Sequence, residues 1–265
     1  MAAEGQVTVI VLAAQRDGEL DPLAAAAGVS HKCLVPICGQ PLLAHVLKAL
    51  EGVAGIESVR ISVEAGAAER LRPITDGSPL PIQFSESADN LADSVYCAAQ
   101  GAAGAIIVTT ADNVLVRAAP IEAVARRLLD GDDVVIAVAR KEDIRAAHPD
   151  AQHNFYELRD GGFSNCNLYG ASQRGLRAAE AFRGGGHFFK NPLRIAKAFG
   201  LMNLIRMRLG WVTTEAAMDR IGRRFRLKAT RIILDDGAYA VDVDNERTYR
   251  IAALLMQRRL DAGAA

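Results

Sequence analysis

An apolar run, Val7 to Leu12, stops abruptly at Ala13-Ala14 and gives way to a polar loop with Gln15, Arg16, Asp17 and Gly18. A run this rich in β-branched side chains reads as a buried strand. Small residues at its end let an anion approach the main-chain N–H groups, which can then act as donors. Further on come a lone lysine, Lys32, a short apolar run, and Gly39-Gln40-Pro41 opening a helical pattern. The lysine supplies the positive charge that a polyphosphate requires. Strand, small-residue loop, lysine and helix in that order lay out a cradle for a nucleoside triphosphate. The competing reading is a strand–loop–helix of some other α/β domain with Lys32 in solvent. Neither G-x-x-x-x-G-K-[ST] nor G-x-G-x-x-G is present, so a Walker loop and a dinucleotide fingerprint are excluded.

The rest of the chain repeats the same alternation. Apolar, β-branched runs recur at 58–63, 105–109 and 133–138, with helical patterns at 41–51, 92–103 and 118–130 between them. The segment 80–87 reads as a further strand feeding a helix near Ala92. Residues 155–171 read as two strands joined by a turn at Asp160-Gly161-Gly162. Helical patterns follow at 172–182, 192–209 and 214–224, then a strand at 231–236 and a final strand and helix from Ala238 onward. This pattern predicts an α/β fold with a mostly parallel central sheet covered by helices on both faces. At 265 residues the chain suffices for one large domain, 1–265, with 184–228 as a basic helical insertion.

Charge is balanced overall, with 31 basic and 31 acidic residues, yet it is unevenly spread. Arg183 to Arg231 holds twelve Lys/Arg against Glu215 and Asp219. Such asymmetry points to an anionic ligand or surface. Three readings exist for the basic stretch: an acceptor-phosphate contact through His187 and Lys190, a membrane-surface helix over 190–211, and a helix pair with its charges in water. A nucleic-acid surface is disfavoured because few aromatic side chains accompany the basic ones. The N-terminal run lacks a basic leader and reads as the first core strand, and no stretch is apolar enough to span a bilayer. Cys33, Cys38, Cys97 and Cys166 have no metal-like spacing, so free thiols in the cytoplasm are expected.

Two acidic positions bear on chemistry. Asp112 follows the apolar run Ala105–Val108, at the strand end where open α/β sheets bind ligands; its plain alternative is a turn or capping aspartate. Asp242 and Asp244 read as alternating residues of a strand sharing one face, and Asp244 could also cap the helix near Glu246.

Leu12-Ala13-Ala14, Arg16, His31-Lys32-Cys33-Leu34 and Gly39-Gln40-Pro41-Leu42 together resemble the MobA-like, GT-A type nucleotidyltransferases, whose pattern runs L-A-A-G-x-G-x-R, P-K-x-L, G-x-P-L. Gln15 and Asp17 replace loop glycines, His31 replaces a proline, and the excursion between Arg16 and Lys32 is longer than usual. The resemblance implies a Rossmann-like GT-A fold and transfer of an NMP from an NTP to a phosphorylated acceptor, with release of pyrophosphate. It implies triphosphate contacts from Ala13, Ala14, Gln15, Gly18, Arg16 and Lys32, and Mg²⁺ on Asp112 and Asp244 with Asp242 in reserve. Asn90 and Ser94 match a segment that faces base and ribose in cytidylyltransferases, which favours CTP over GTP; the alternative is a helix N-terminus with Asp89, Asn90 or Asp93 as cap. Asn167 matches an asparagine on the acceptor side, and the acceptor could be a lipid head-group precursor. A nucleotide-sugar glycosyltransferase would need D-x-D where this chain has Asp112-Asn113-Val114. A non-catalytic nucleotide sensor is the remaining alternative, suggested by the missing glycines.

Overall fold

The computed structural model describes residues 6–15, 20–182 and 211–263. In chain order the elements are β1 (Val7–Leu12), α1 (Pro22–Ala27), the short strands β2 (Pro36–Ile37) and β3 (Gln40–Pro41), α2 (Leu42–Glu51), β4 (Ile56–Val63), α3 (Ala68–Thr75), β5 (Ile82–Glu86) and α4 (Leu91–Ala99). These are followed by β6 (Ala105–Thr110), α5 (Ala118–Leu129), β7 (Val134–Arg140), α6 (Lys141–Ala147), β8 (Tyr156–Leu158) and β9 (Gly161–Ala171). The remainder comprises α7 (Thr214–Phe225), β10 (Ala229–Leu234) and α8 (Glu246–Asp261), with single 3-10 segments at Lys32–Leu34, Gly175–Phe182 and Gly237–Ala240.

The main sheet runs β10-β7-β9-β6-β1-β4-β5, with β8 paired to β9. Strands β6, β1, β4 and β5 are mutually parallel, and β10 is parallel to β7. Strand β9 lies antiparallel between β6 and β7. The fold is therefore α/β with a mostly parallel, mixed sheet.

Alternation along β1 divides the core. Val7, Val9 and Val11 face a large cluster with Leu43 and Leu47 of α2, Ile121 and Val124 of α5, and Ile251 and Leu255 of α8. Ile10 faces the other way, onto Val95 and Ala98 of α4. With both faces covered, the strand is apolar at five of its six positions, as a buried parallel strand must be.

The Gly39 motif closes a two-residue hairpin. Ile37 pairs with Gln40, and Cys38 and Gly39 both take positive φ (45° and 82°), the backbone a tight hairpin turn demands. Pro41 then precedes α2 as its N-cap residue.

The closing segment differs from the pattern. Residues 238–244 form no strand: Asp236 caps the 3-10 turn Gly237–Ala240, and Val241 to Asp244 continue outside the sheet. The Val243 N–H bonds the Asp112 carbonyl at 3.1 Å instead of a ladder partner. Helices α1, α3 and α6 also escape the periodicity reading, because each is short and only one or two of its residues are buried. Residues 183–210, which carry half of the twelve basic residues of that stretch, lie outside the described residues. Among the described residues no helix is long and apolar enough to cross a membrane, and all four cysteines are free thiols.

At the edge remote from the β1 loop, buried Asp132 faces Arg127 Nε at 2.7 Å and Lys228 Nζ at 2.9 Å, and accepts from the Thr230 hydroxyl at 2.7 Å. Neighbouring Asp133 accepts from Ser172 Oγ and the Lys228 N–H. The pair stitches the start of β7 to β10 and to the end of β9. Burial alone would raise both carboxyls, but the bonds they accept and the nearby cations hold both below the ordinary value. Their stabilisation is thus full above about pH 4, the unfolded carboxyl value, and is lost as pH falls through the lower folded values. Asp132→Ala is expected to cost roughly 2 kcal/mol at pH 7 by urea denaturation, and less as pH approaches 3.

Candidate active site

Parallel pairing sets the site's position. Leu12 pairs with Ser62 of β4 and Thr110 of β6, so Ala13, Glu64 and Asp112 all emerge at one edge of the sheet. Two backbone bonds tie the exits together, from Ala13 N–H to the Ser62 carbonyl and from Ala111 N–H to the Leu12 carbonyl, both 2.9 Å. Strand β9 reaches the same edge from the opposite direction. Its pairing with β7 slips between Ile136↔Tyr169 and Val138↔Asn165, and within that bulge Asn167 takes φ +44°. Asparagine tolerates this left-handed backbone better than most residues.

Lys32 begins the 3-10 turn that follows His31. Its ammonium contacts Asp112 Oδ2 and lies 3.1 Å from Asp244 Oδ1. Burial alone would lower the lysine, but the two carboxylates outweigh it and hold the group above its ordinary value, firmly charged. Asp112 is oriented from behind by the Thr110 hydroxyl, which donates to Oδ1. It caps no helix, since α5 begins after Arg117.

Asp244 reaches Lys32 because another residue caps α8. Asn245 Oδ1 accepts from Thr248 N–H, and Thr248 Oγ1 accepts from the N–H groups of Asn245 and Asp244, a closed capping box. The side chain of Asp244 is left projecting, 65% exposed. Helix α8 is anchored by Tyr249 Oη donating to the Pro36 carbonyl and by Arg259 bonding the Leu115 carbonyl and Asp236. Asp242 lies partly buried beside them, with Oδ1 lacking a hydrogen-bond partner among the described residues. Burial, reinforced by Asp112 and Asp244, pushes its carboxyl well above the usual range, against Lys32 and a hydrogen bond from the Asn167 side chain. The structure therefore gathers Lys32, Asp112, Asp242, Asp244 and Asn167.

Other expected residues stand differently. Asn90 caps α4 through Asp93 N–H, and Ser94, buried, exchanges hydrogen bonds with Ala88 N–H and carbonyl. Both side chains fix the start of α4 beside the end of β5. Ala13 is buried and Ala14 exposed at the cradle. Arg16, Gly18, His187 and Lys190 lie outside the described residues. Glu64, one residue beyond β4, belongs to no motif in the sequence; its Oε1 accepts from Gln15 N–H at 2.7 Å. The available signal was its position directly after an apolar strand, the same cue that marked Asp112.

Could the group hold a divalent ion? Asp112 and Asp244 converge on one cation position, filled by an ammonium, and a buried Asp242 oxygen beside them has no hydrogen bond. Among the described residues no three or more His, Cys, Asp or Glu side chains form a metal cluster. Two carboxylates completed by phosphate oxygens and water suit Mg²⁺, which keeps several waters. The residues fit.

The model of the MobA-like NTP transferase domain matches residues 9–197, most of the chain. The chain belongs to that family. This MobA-like transferase has no match among curated protein sequences. In structure it is similar to a hypothetical transferase from Thermus thermophilus (24% identity, TM-score 0.73, covering 92% of this chain and 99% of that one). It is also similar to the 4-diphosphocytidyl-2C-methyl-D-erythritol synthase of Anaerococcus prevotii (9%, 0.61, 96% and 97%). A third is a CMP:2-keto-3-deoxy-manno-octonic acid synthetase complexed with CTP (13%, 0.58, 96% and 99%). At these identities the likeness shows the nucleotidyltransferase fold.

Removing the ammonium leaves two carboxylates facing each other without compensation. Lys32→Met is expected to cost about 2 kcal/mol in urea denaturation at neutral pH, and Lys32→Met with Asp112→Asn to cost less than the sum of the two singles.

Proposed function

We propose that this MobA-like transferase moves a nucleoside monophosphate from an NTP, CTP by preference, to the phosphate of a small acceptor, with release of pyrophosphate. The observation that carries this reading is the convergence of Asp112 and Asp244 on the Lys32 ammonium, at the strand edge where β1 ends in alanines. An acceptor phosphate is already an anionic nucleophile, so no general base is needed. One of its oxygens attacks the α-phosphorus, a P–O bond forms, and the bond to the β-phosphate oxygen breaks with its electron pair leaving on pyrophosphate. The protein's task is positioning and charge neutralisation.

Lys32 and Arg16 hold the triphosphate in this reading, with the backbone of Ala13 and Ala14 beside it. Asp112 and Asp244 would hold Mg²⁺, which supplies charge neutralisation on the phosphate oxygens when bound. Lys32 then turns from the carboxylates toward the phosphates, exchanging one set of anions for another. Asn167, aimed by its bulge, stands on the acceptor side with Asp242 behind it. Preference for CTP is supported by the two cytidylyl-handling structural neighbours; Asn90 and Ser94 spend their polar atoms on α4 and add nothing to it.

A thermal-shift screen of ATP, CTP, GTP and UTP, each with and without Mg²⁺, tests the reading. CTP with Mg²⁺ is expected to raise Tm most, and Asp112→Ala to abolish the Mg²⁺-dependent part. A larger shift with GTP makes the enzyme a guanylyltransferase, and no shift with any nucleotide overturns the proposal. Lys32→Ala and Asp112→Ala are each expected to remove nearly all pyrophosphate release while the protein stays folded.

A further inference from the structure

Gln15 brings a side chain to the position where the family's loop has a bare glycine, and both its amide nitrogen and its amide oxygen find partners. Its Nε2 donates to the Ser30 carbonyl at 2.8 Å, its Oε1 accepts from Asp21 N–H at 3.4 Å, and its own N–H donates to Glu64 Oε1 at 2.7 Å. The second Glu64 oxygen lies 3.7 Å from His31 Nε2. His31, only 3% exposed, has Nδ1 2.8 Å from Ser30 Oγ. At 3.7 Å the His31–Glu64 contact is not a hydrogen bond, and a neutral imidazole keeps the one to Ser30. Burial favours this neutral imidazole, lowering its pKa against the pull of Glu64, with Arg70 adding to the lowering.

The network joins the end of β1, the end of β4 and the residue that caps the turn bearing Lys32. The Leu34 N–H bonds the His31 carbonyl and the Val35 N–H bonds the Lys32 carbonyl, so the lysine's backbone follows from where His31 is pinned. A glycine at position 15 could reach neither Ser30 nor Asp21. The excursion from Gln15 to Ser30 also carries a closure cost that grows with its length, and a bond across its mouth offsets part of it.

We infer that Gln15 and Glu64 form a latch that holds Lys32 in register with Asp112 and Asp244, which makes both positioning residues of the transferase site. The effect on nucleotide binding rests on the NTP reading above; the latch itself does not. Because the Gln15 N–H is committed to Glu64, the cradle takes more of its hold on the triphosphate from side chains, Lys32 first among them.

Two measurements test this on the full chain. Amide hydrogen exchange without nucleotide, over residues 12–15 and 30–35, is compared in the wild type, Gln15→Ala, Glu64→Ala and Glu64→Gln. Calorimetric titration with CTP and with GTP, each with Mg²⁺, follows on the same proteins. Exchange at 31–35 is expected to quicken about tenfold in Gln15→Ala and Glu64→Ala, the scale of one or two lost hydrogen bonds, and nucleotide Kd to rise by about as much. Glu64→Gln keeps an oxygen to accept from Gln15 N–H and is expected to restore both, a rescue that loss of packing would not give. Gln15→Gly, the family's own residue, is expected to behave like Gln15→Ala. Unchanged exchange overturns the latch, as does tighter nucleotide binding in Glu64→Ala or Gln15→Gly, which would make the network an obstacle that nucleotide displaces. If the wild type binds neither nucleotide while exchange behaves as stated, the cytidylyl and guanylyl readings fail and the latch is supported.

Discussion

Everything at the candidate site depends on how three carboxylates are kept together at the end of a sheet. Asp112, Asp242 and Asp244 repel one another, and burial makes the repulsion harder to screen. Lys32 answers this with a single ammonium shared between Asp112 and Asp244. The solution is provisional in a useful way. An ammonium held by two carboxylates occupies the kind of place that a divalent ion and a triphosphate together would reorganise, so the ligand-free arrangement already has complementary charges in position.

The scaffold achieves this by pinning each partner from a different direction. Parallel register sets Asp112 beside the end of β1, the Thr110 hydroxyl orients it, and the capping box leaves the carboxylate of Asp244 projecting from the start of α8. The bulge in β9 brings Asn167 to Asp242 at the cost of a left-handed asparagine. Each device is local; their convergence is a property of the sheet's topology.

The alternation of apolar runs and helical patterns was enough to foresee the parallel sheet, because strands buried on both faces have little choice of composition. Lys32, Asp112 and Asp244 could be picked because each follows or precedes such a run at a motif position. What could not be read was relational. Nothing in AYAVDVD says that Val243 would bond the Asp112 carbonyl in place of a strand partner. Nothing in a lone glutamate after β4 says that it would accept from the Gln15 N–H. In sequence Asn90 suits a ligand contact as well as a cap, and the fold commits its polar atoms and those of Ser94 to holding α4 in place. Side chains that serve the backbone and side chains that serve a ligand use the same chemistry, and only position separates them.

Lys32 and Asp244 are 212 positions apart. A ribosome delivers the lysine that many positions ahead of its aspartate partner. Until α8 emerges and docks, the first strands can pair, yet Lys32 has only Asp112 to meet. The helix α8 therefore completes the site in time as well as in space, since its docking brings Asp244 to Lys32.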